Sequence, residues 1–145
     1  MNNNIHRNMH RSLIAALISV PLLAHAGVAV VAGAKSPASK LSADQVAQLY
    51  LAKSTTLPGA GTVVLLDQSE GAAVRDAFYE KATGKNPAQI KALWSRLVFS
   101  GAAQAPKTMS SGAEVKKAVA ANPDAIGYID SSEVDASVKV LFSAD

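Results

Sequence analysis

Thr62 to Leu66 form an apolar run that passes directly into Asp67-Gln68-Ser69-Glu70-Gly71. The next apolar residues, Val74, Phe78 and Ala82, recur at i, i+4 and i+8. The first run reads as a buried strand, and the second set as one face of a helix from about Ala72 to Thr83, stopped by Gly84. A strand that feeds a helix through a short polar turn must bury the strand on a sheet and lay the helix over it.

The rest of the chain repeats the alternation. Val28 to Val31 reads as a buried strand ahead of Gly33. Ser42 with Gln45 forms a capping box for a helix from Ala43 to about Ala52, whose Val46, Leu49 and Tyr50 share a face. Pro58 and Gly59 place a turn in Thr55 to Gly61. Asn86-Pro87-Ala88-Gln89 supplies an N-cap, a proline at the first helical position and a glutamine at the third; Ile90, Leu93, Trp94 and Leu97 then form an i, i+3, i+4, i+7 stripe. Trp94 is expected to anchor the core. Ser100 to Ser111 reads as a surface loop. Ser111 with Glu114 opens a short helix carrying Val115, Ala118 and Val119, broken by Asn122-Pro123-Asp124. Ala125 to Ile129 and Val138 to Phe142 read as two last strands joined by the turn-rich segment Asp130 to Ser137. The order β, α, β, α, α, α, β, β predicts an α/β fold with a mixed sheet covered by helices, without internal repeats or a second-domain boundary.

The first 26 residues have another character. Met1 to Arg11 is polar and carries Arg7 and Arg11 but no acid, Ser12 to Leu23 is mostly apolar, and Ala24-His25-Ala26 has the small-x-small form of a signal-peptidase site. The apolar run is about half of the ~20 residues that span a bilayer, so residues 1–26 are expected to be a cleaved signal peptide and 27–145 a single domain in a periplasmic or secreted location. Of 14 Lys plus Arg, removal of Arg7 and Arg11 leaves 12 against 11 Asp plus Glu. A nearly neutral domain offers no nucleic-acid footprint. His6, His10 and His25 all lie in the leader, and the chain has no cysteine. The expected domain therefore lacks the side chains of Cys/His zinc sites, Cys-His nucleophiles and Ser-His-Asp triads; it is expected not to be an enzyme and to need no cofactor.

Several polar residues have more than one reading. Ser69 is placed to cap the helix or to contact an anion. Arg75, one turn into that helix, can reach an anion, pair with Glu70, lie near Tyr79 or face solvent. Arg96, between Leu93 and Leu97, is a candidate partner for Asp67 or for an anion. Asp130, Glu133 and Asp135 read as a solvated acidic turn, and Lys116 and Lys117 as a solvated helix face.

The stretches KLSADQVAQLYLAK, VVLLDQSEGAAVRDAFYEKATGKNPAQIKALWSRLVFSG and AVAANPDAIGYIDSSEVDASVKVLF resemble the phosphate-binding proteins of ABC transporters, within the type II periplasmic binding protein superfamily, and especially its short single-lobe members. The resemblance implies an oxyanion binder that delivers its ligand to a membrane permease. It implies one lobe of the usual two, leaving a second lobe to another chain. It places the anion against the turn and helix start, at Ser69, Gly71, Ala72, Ala73 and Arg75. The sequence departs from the family pattern at Ala72, where the pattern carries a serine, and Glu70 adds a negative charge. The expected function is thus weak binding of phosphate or another oxyanion at a helix N-terminus. The alternative is a lobe without a ligand that binds a protein partner or itself.

Overall fold

The structure, a computed structural model, describes residues 27–145; the expected leader and cleavage site lie outside the described residues. Strands β1 (Val28–Gly33), β4 (Val64–Gln68), β5 (Lys107–Met109), β6 (Ala125–Asp130) and β7 (Val138–Ala144) make one sheet in the order β5-β4-β6-β1-β7. β4 runs parallel to β5 and β6, whereas β1 runs antiparallel to both β6 and β7. The sheet is therefore mixed, as the alternation of elements predicts, with β1 alone opposing the other four strands.

All six residues of β1 are buried, so period-two alternation sends side chains into two cores rather than to a core and solvent. Val28, Val30 and Ala32 face the core formed under α1 (Ala43–Tyr50), α2 (Ala73–Thr83) and α3 (Pro87–Phe99), where Val46, Leu49, Phe78, Ile90 and Trp94 are buried. Ala29 and Val31 face the other core, where α4 (Gly112–Ala121) contributes Val115 and Val119. The result is a three-layer α/β/α sandwich. Gly33 and Gly127 let α4 lie close to the sheet. A Cβ at Gly33 would meet the Val119 carbonyl oxygen at 2.3 Å, and one at Gly127 would meet Val115 Cγ1 at 2.6 Å.

The helix starts follow their sequence signals. Ser42 with Gln45 and Asn86 with Gln89 both form reciprocal capping boxes, and Ser111 accepts from the Glu114 amide. Gly84 ends α2 in the left-handed region at φ 71°. The segment between β1 and α1 shields the free edge of β7: the Leu41 amide donates to the Leu141 carbonyl at 2.8 Å, and Lys139 Nζ donates to the Ser36 carbonyl. Covering an edge in this way blocks pairing with another chain.

Four local expectations are corrected. The turn expected over Thr55 to Gly61 is a small hairpin of β2 (Thr56–Leu57) and β3 (Gly61–Thr62), and the main strand starts at Val64 rather than Thr62. The first helix ends at Tyr50 rather than near Ala52, which adopts φ 58°. The loop expected over Ser100 to Ser111 contains β5, too short to show a period and held by parallel pairing to Leu66, Asp67 and Gln68. Lys116 is not simply solvated: its Nζ lies 2.8 Å from Asp135 Oδ2 and also donates to the Glu133 carbonyl. That contact ties the acidic turn to α4 and holds the Asp135 carboxyl well below the usual carboxylate range, assisted by Ser137.

Candidate anion site at the start of the second helix

The C-terminal end of β4 carries three buried residues, Leu66, Asp67 and Gln68, and the chain emerges into solvent at Ser69, Glu70 and Gly71. The Ala72 amide donates back to the Ser69 carbonyl at 3.0 Å. Closing this turn puts Gly71 at φ 88°, a conformation that side chains with a Cβ rarely adopt. α2 then begins at Ala73. Ser69 is not its cap: that position belongs to Ala72, which has no side-chain acceptor to offer, so the helix starts uncapped. The amides of Arg75 and Asp76 both turn to the Ala72 carbonyl, while those of Ala73 and Val74 have no acceptor among the described residues. Two unsatisfied N–H groups and the positive end of the helix dipole therefore meet at an exposed turn.

Directly beneath lies a buried carboxylate. Asp67 accepts hydrogen bonds from the hydroxyls of Tyr79, at 2.7 Å, and Tyr128, and from the Gln68 amide at 2.8 Å. Arg75 Nε lies 3.3 Å from Asp67 Oδ1, an ion pair without good hydrogen-bond alignment, and the guanidinium carbon stands 5.1 Å from the centre of the Tyr79 ring. Burial, the largest single influence, makes the Arg75 proton easier to lose, but the Asp67 carboxylate together with Tyr79 and Tyr128 outweighs it, and Arg75 holds its proton more tightly than usual. Tyr79 and Tyr128 are pushed well above the ordinary phenol range, by burial first and then by the adjacent Asp67 charge. Tyr128 also stacks on Phe78 at 3.9 Å between ring centres, which fixes its hydroxyl over β4. Gln68 completes the cluster, donating its side-chain amide to the Tyr128 carbonyl.

The partners of the charged residues differ from the sequence expectations. Asp67 pairs with Arg75, not Arg96, which is exposed on α3. Glu70 pairs with Lys91 at 3.0 Å rather than with Arg75, and Lys91 holds its carboxyl below the usual range. Of the five expected anion contacts, Ser69, Gly71, Ala72 and Ala73 share one continuous turn, while the Arg75 guanidinium is committed to Asp67. The sequence reading places Tyr79 near Arg75, as found, but not on Asp67, and it does not single out Tyr128 or Gln68. A carboxylate at the end of an apolar strand was the signal available, because a buried charge must find partners. Chemically, the turn offers backbone donors and the exposed Ser69 hydroxyl at its edge, but no hydroxyl at Ala72, and the adjacent Arg75 guanidinium is held by Asp67.

No protein-family model matches the chain, and no curated protein matches it. Solved structures do. A protein described as a phosphate ABC transporter substrate-binding protein from Clostridium perfringens, solved with bound phosphate, superposes with a TM-score of 0.64 at 25% identity, covering 79% of this chain and 44% of that one. An ABC-type phosphate transport receptor from Vibrio cholerae gives 0.63 at 20% identity, covering 79% and 45%. PstS from Borrelia burgdorferi gives 0.53 at 9% identity, covering 79% and 46%. The chain thus spans less than half the length of each of these proteins. Over its described residues it has the fold of a type II periplasmic binding protein lobe and is similar to the phosphate ABC transporter substrate-binding proteins.

Proposed function

We propose that the chain is an exported, solute-binding-like protein whose described lobe takes phosphate or a similar oxyanion weakly at the start of α2. The observation that carries this reading is the pair of unpartnered amides, Ala73 and Val74, at the end of a turn whose Gly71 admits close approach. The phosphate-bound Clostridium perfringens neighbour supports the ligand class. The contacts would come from the backbone amides of Gly71, Ala73 and Val74, with the Ser69 hydroxyl at the edge; the Ala72 amide is already committed to the Ser69 carbonyl. The Arg75 guanidinium, paired with Asp67, makes no direct contact with the anion in this reading. Weak binding follows from Ala72, since a neutral donor to a charged group is worth about 1.5 to 3 kcal/mol. A periplasmic or secreted location fits the expected leader, and an ABC permease and a second lobe from another chain are the partners such a half-site would engage. Among the described residues no helix is long and apolar enough to cross a membrane. Calorimetry with phosphate and sulfate tests the reading: heat that saturates at millimolar phosphate supports it, and no heat with either anion overturns it.

A second reading, an interaction module without a ligand, is favoured by one observation. Phe99 at the end of α3 is 95% exposed, and neighbouring Val98 is 48% exposed. Large apolar side chains held in solvent suit a protein partner or a second copy. Sedimentation of the wild type and of Phe99→Ser separates the readings, because self-association that Phe99→Ser removes belongs to this one.

A further inference from the structure

The N-terminal end of β4, opposite the α2 turn, carries an unassigned groove. Val63 and Leu65, the Trp94 indole on α3, and Ala103 and Pro106 in the segment leading to β5 wall an open space of about 480 Å3. That size falls within the range of small-ligand sites. Small side chains keep the space open, and its walls are mostly apolar. Lys107, exposed at the rim, is the only charged residue lining it. No acidic side chain lines the groove, and Lys107 forms no ion pair among the described residues. An apolar trough with one cation and no anion is complementary to a molecule with an apolar tail and a single negative end.

We propose that this groove binds an amphipathic monocarboxylate, with the tail against Trp94 and Pro106 and the carboxylate at Lys107. Burial of the tail supplies most of the affinity, and the ammonium selects the charged head. The groove is separate from the α2 turn: its Val63 and Leu65 wall lies at the start of β4 and Lys107 is paired beside Leu66, whereas the turn follows Gln68.

Trp94 is the only tryptophan in the chain, so its emission reports on the groove directly. Titration with octanoate is expected to change that emission saturably, and excess phosphate to leave the response unaltered. Lys107→Gln should weaken octanoate binding roughly threefold, as for a partly exposed ion pair, and leave binding of the neutral analogue octanol unchanged. Ala103→Leu, which fills the groove, should remove the response to both. A response to octanoate that does not saturate, octanoate binding that Lys107→Gln leaves intact, or displacement of octanoate by phosphate would each overturn the proposal.

Discussion

Asp67 Oδ1 and Arg75 Nε lie 3.3 Å apart across the turn that joins β4 to α2, in side chains only 7% and 11% exposed. This pair turns what looks from the sequence like an anion-seeking arginine into the partner of an internal carboxylate. It also fixes the first turn of α2 against the strand that precedes it. Removing one member of a buried pair leaves the other charge without compensation.

Asp67→Ala should therefore destabilise the fold by about 3 to 5 kcal/mol. It strands Arg75 and the hydroxyls of both Tyr79 and Tyr128. Asp67→Asn keeps an acceptor for one hydroxyl and should cost less. Urea unfolding of the two variants beside the wild type checks the order; equal loss in both would show that charge, not hydrogen bonding, dominates.

Ala72→Ser should act twice. A serine at an uncapped N-cap stabilises a helix by about 1 kcal/mol. The same hydroxyl adds a donor to any anion at the turn, and about 1.5 to 3 kcal/mol corresponds to roughly 10- to 150-fold tighter phosphate binding. Thermal unfolding measures the first effect and calorimetry the second. A stability gain without an affinity gain would place the anion elsewhere.

The chain has three tyrosines, Tyr50, Tyr79 and Tyr128, and all three are buried with phenol groups shifted upward, chiefly by burial. A raised folded value means the folded state keeps protons that the unfolded state releases. This contribution to stability is complete below the unfolded phenol value of about 10 and is lost as pH climbs beyond it. Tyrosinate absorbance should stay flat through about pH 10 and then rise together with loss of the far-ultraviolet helix signal. Titration of any tyrosine in the folded protein near that pH would contradict the buried cluster.

Gly33→Ala should cost about 1 to 3 kcal/mol, because its Cβ would strike the Val119 carbonyl oxygen rather than a movable side chain. Chemical unfolding provides the value. A neutral outcome would mean that α4 packs farther from the sheet.

Much of the fold was legible because it depends on local chemistry. Two reciprocal capping boxes, Pro87 at the first helical position and the Gly84 stop announce the helix ends by groups within a few residues of one another. The strands β1, β4, β6 and β7 show as apolar runs. β5 does not, since Lys107-Thr108-Met109 becomes a strand only through its pairing with β4. The candidate site divides in the same way. The turn geometry from Ser69 to Ala73 is sequence-local and legible, but its cap is Ala72 rather than Ser69, because the tight Ala72-to-Ser69 closure moves the helix start to Ala73. The cluster around Asp67 draws Tyr128 from 61 residues away, a relation that no spacing rule encodes. Arg96 looked like the partner of Asp67 because it follows Leu93 in an apolar stripe, but α3 turns that position to solvent.

The claim that an oxyanion binds at the start of α2 is tested most directly by amide NMR of the chain during titration with phosphate. The amides of Gly71, Ala73 and Val74 should shift together and saturate with one millimolar-range constant, while those of β7 stay fixed. Phosphate in the millimolar range that leaves these three amides unmoved, or shifts others in their place, would contradict it.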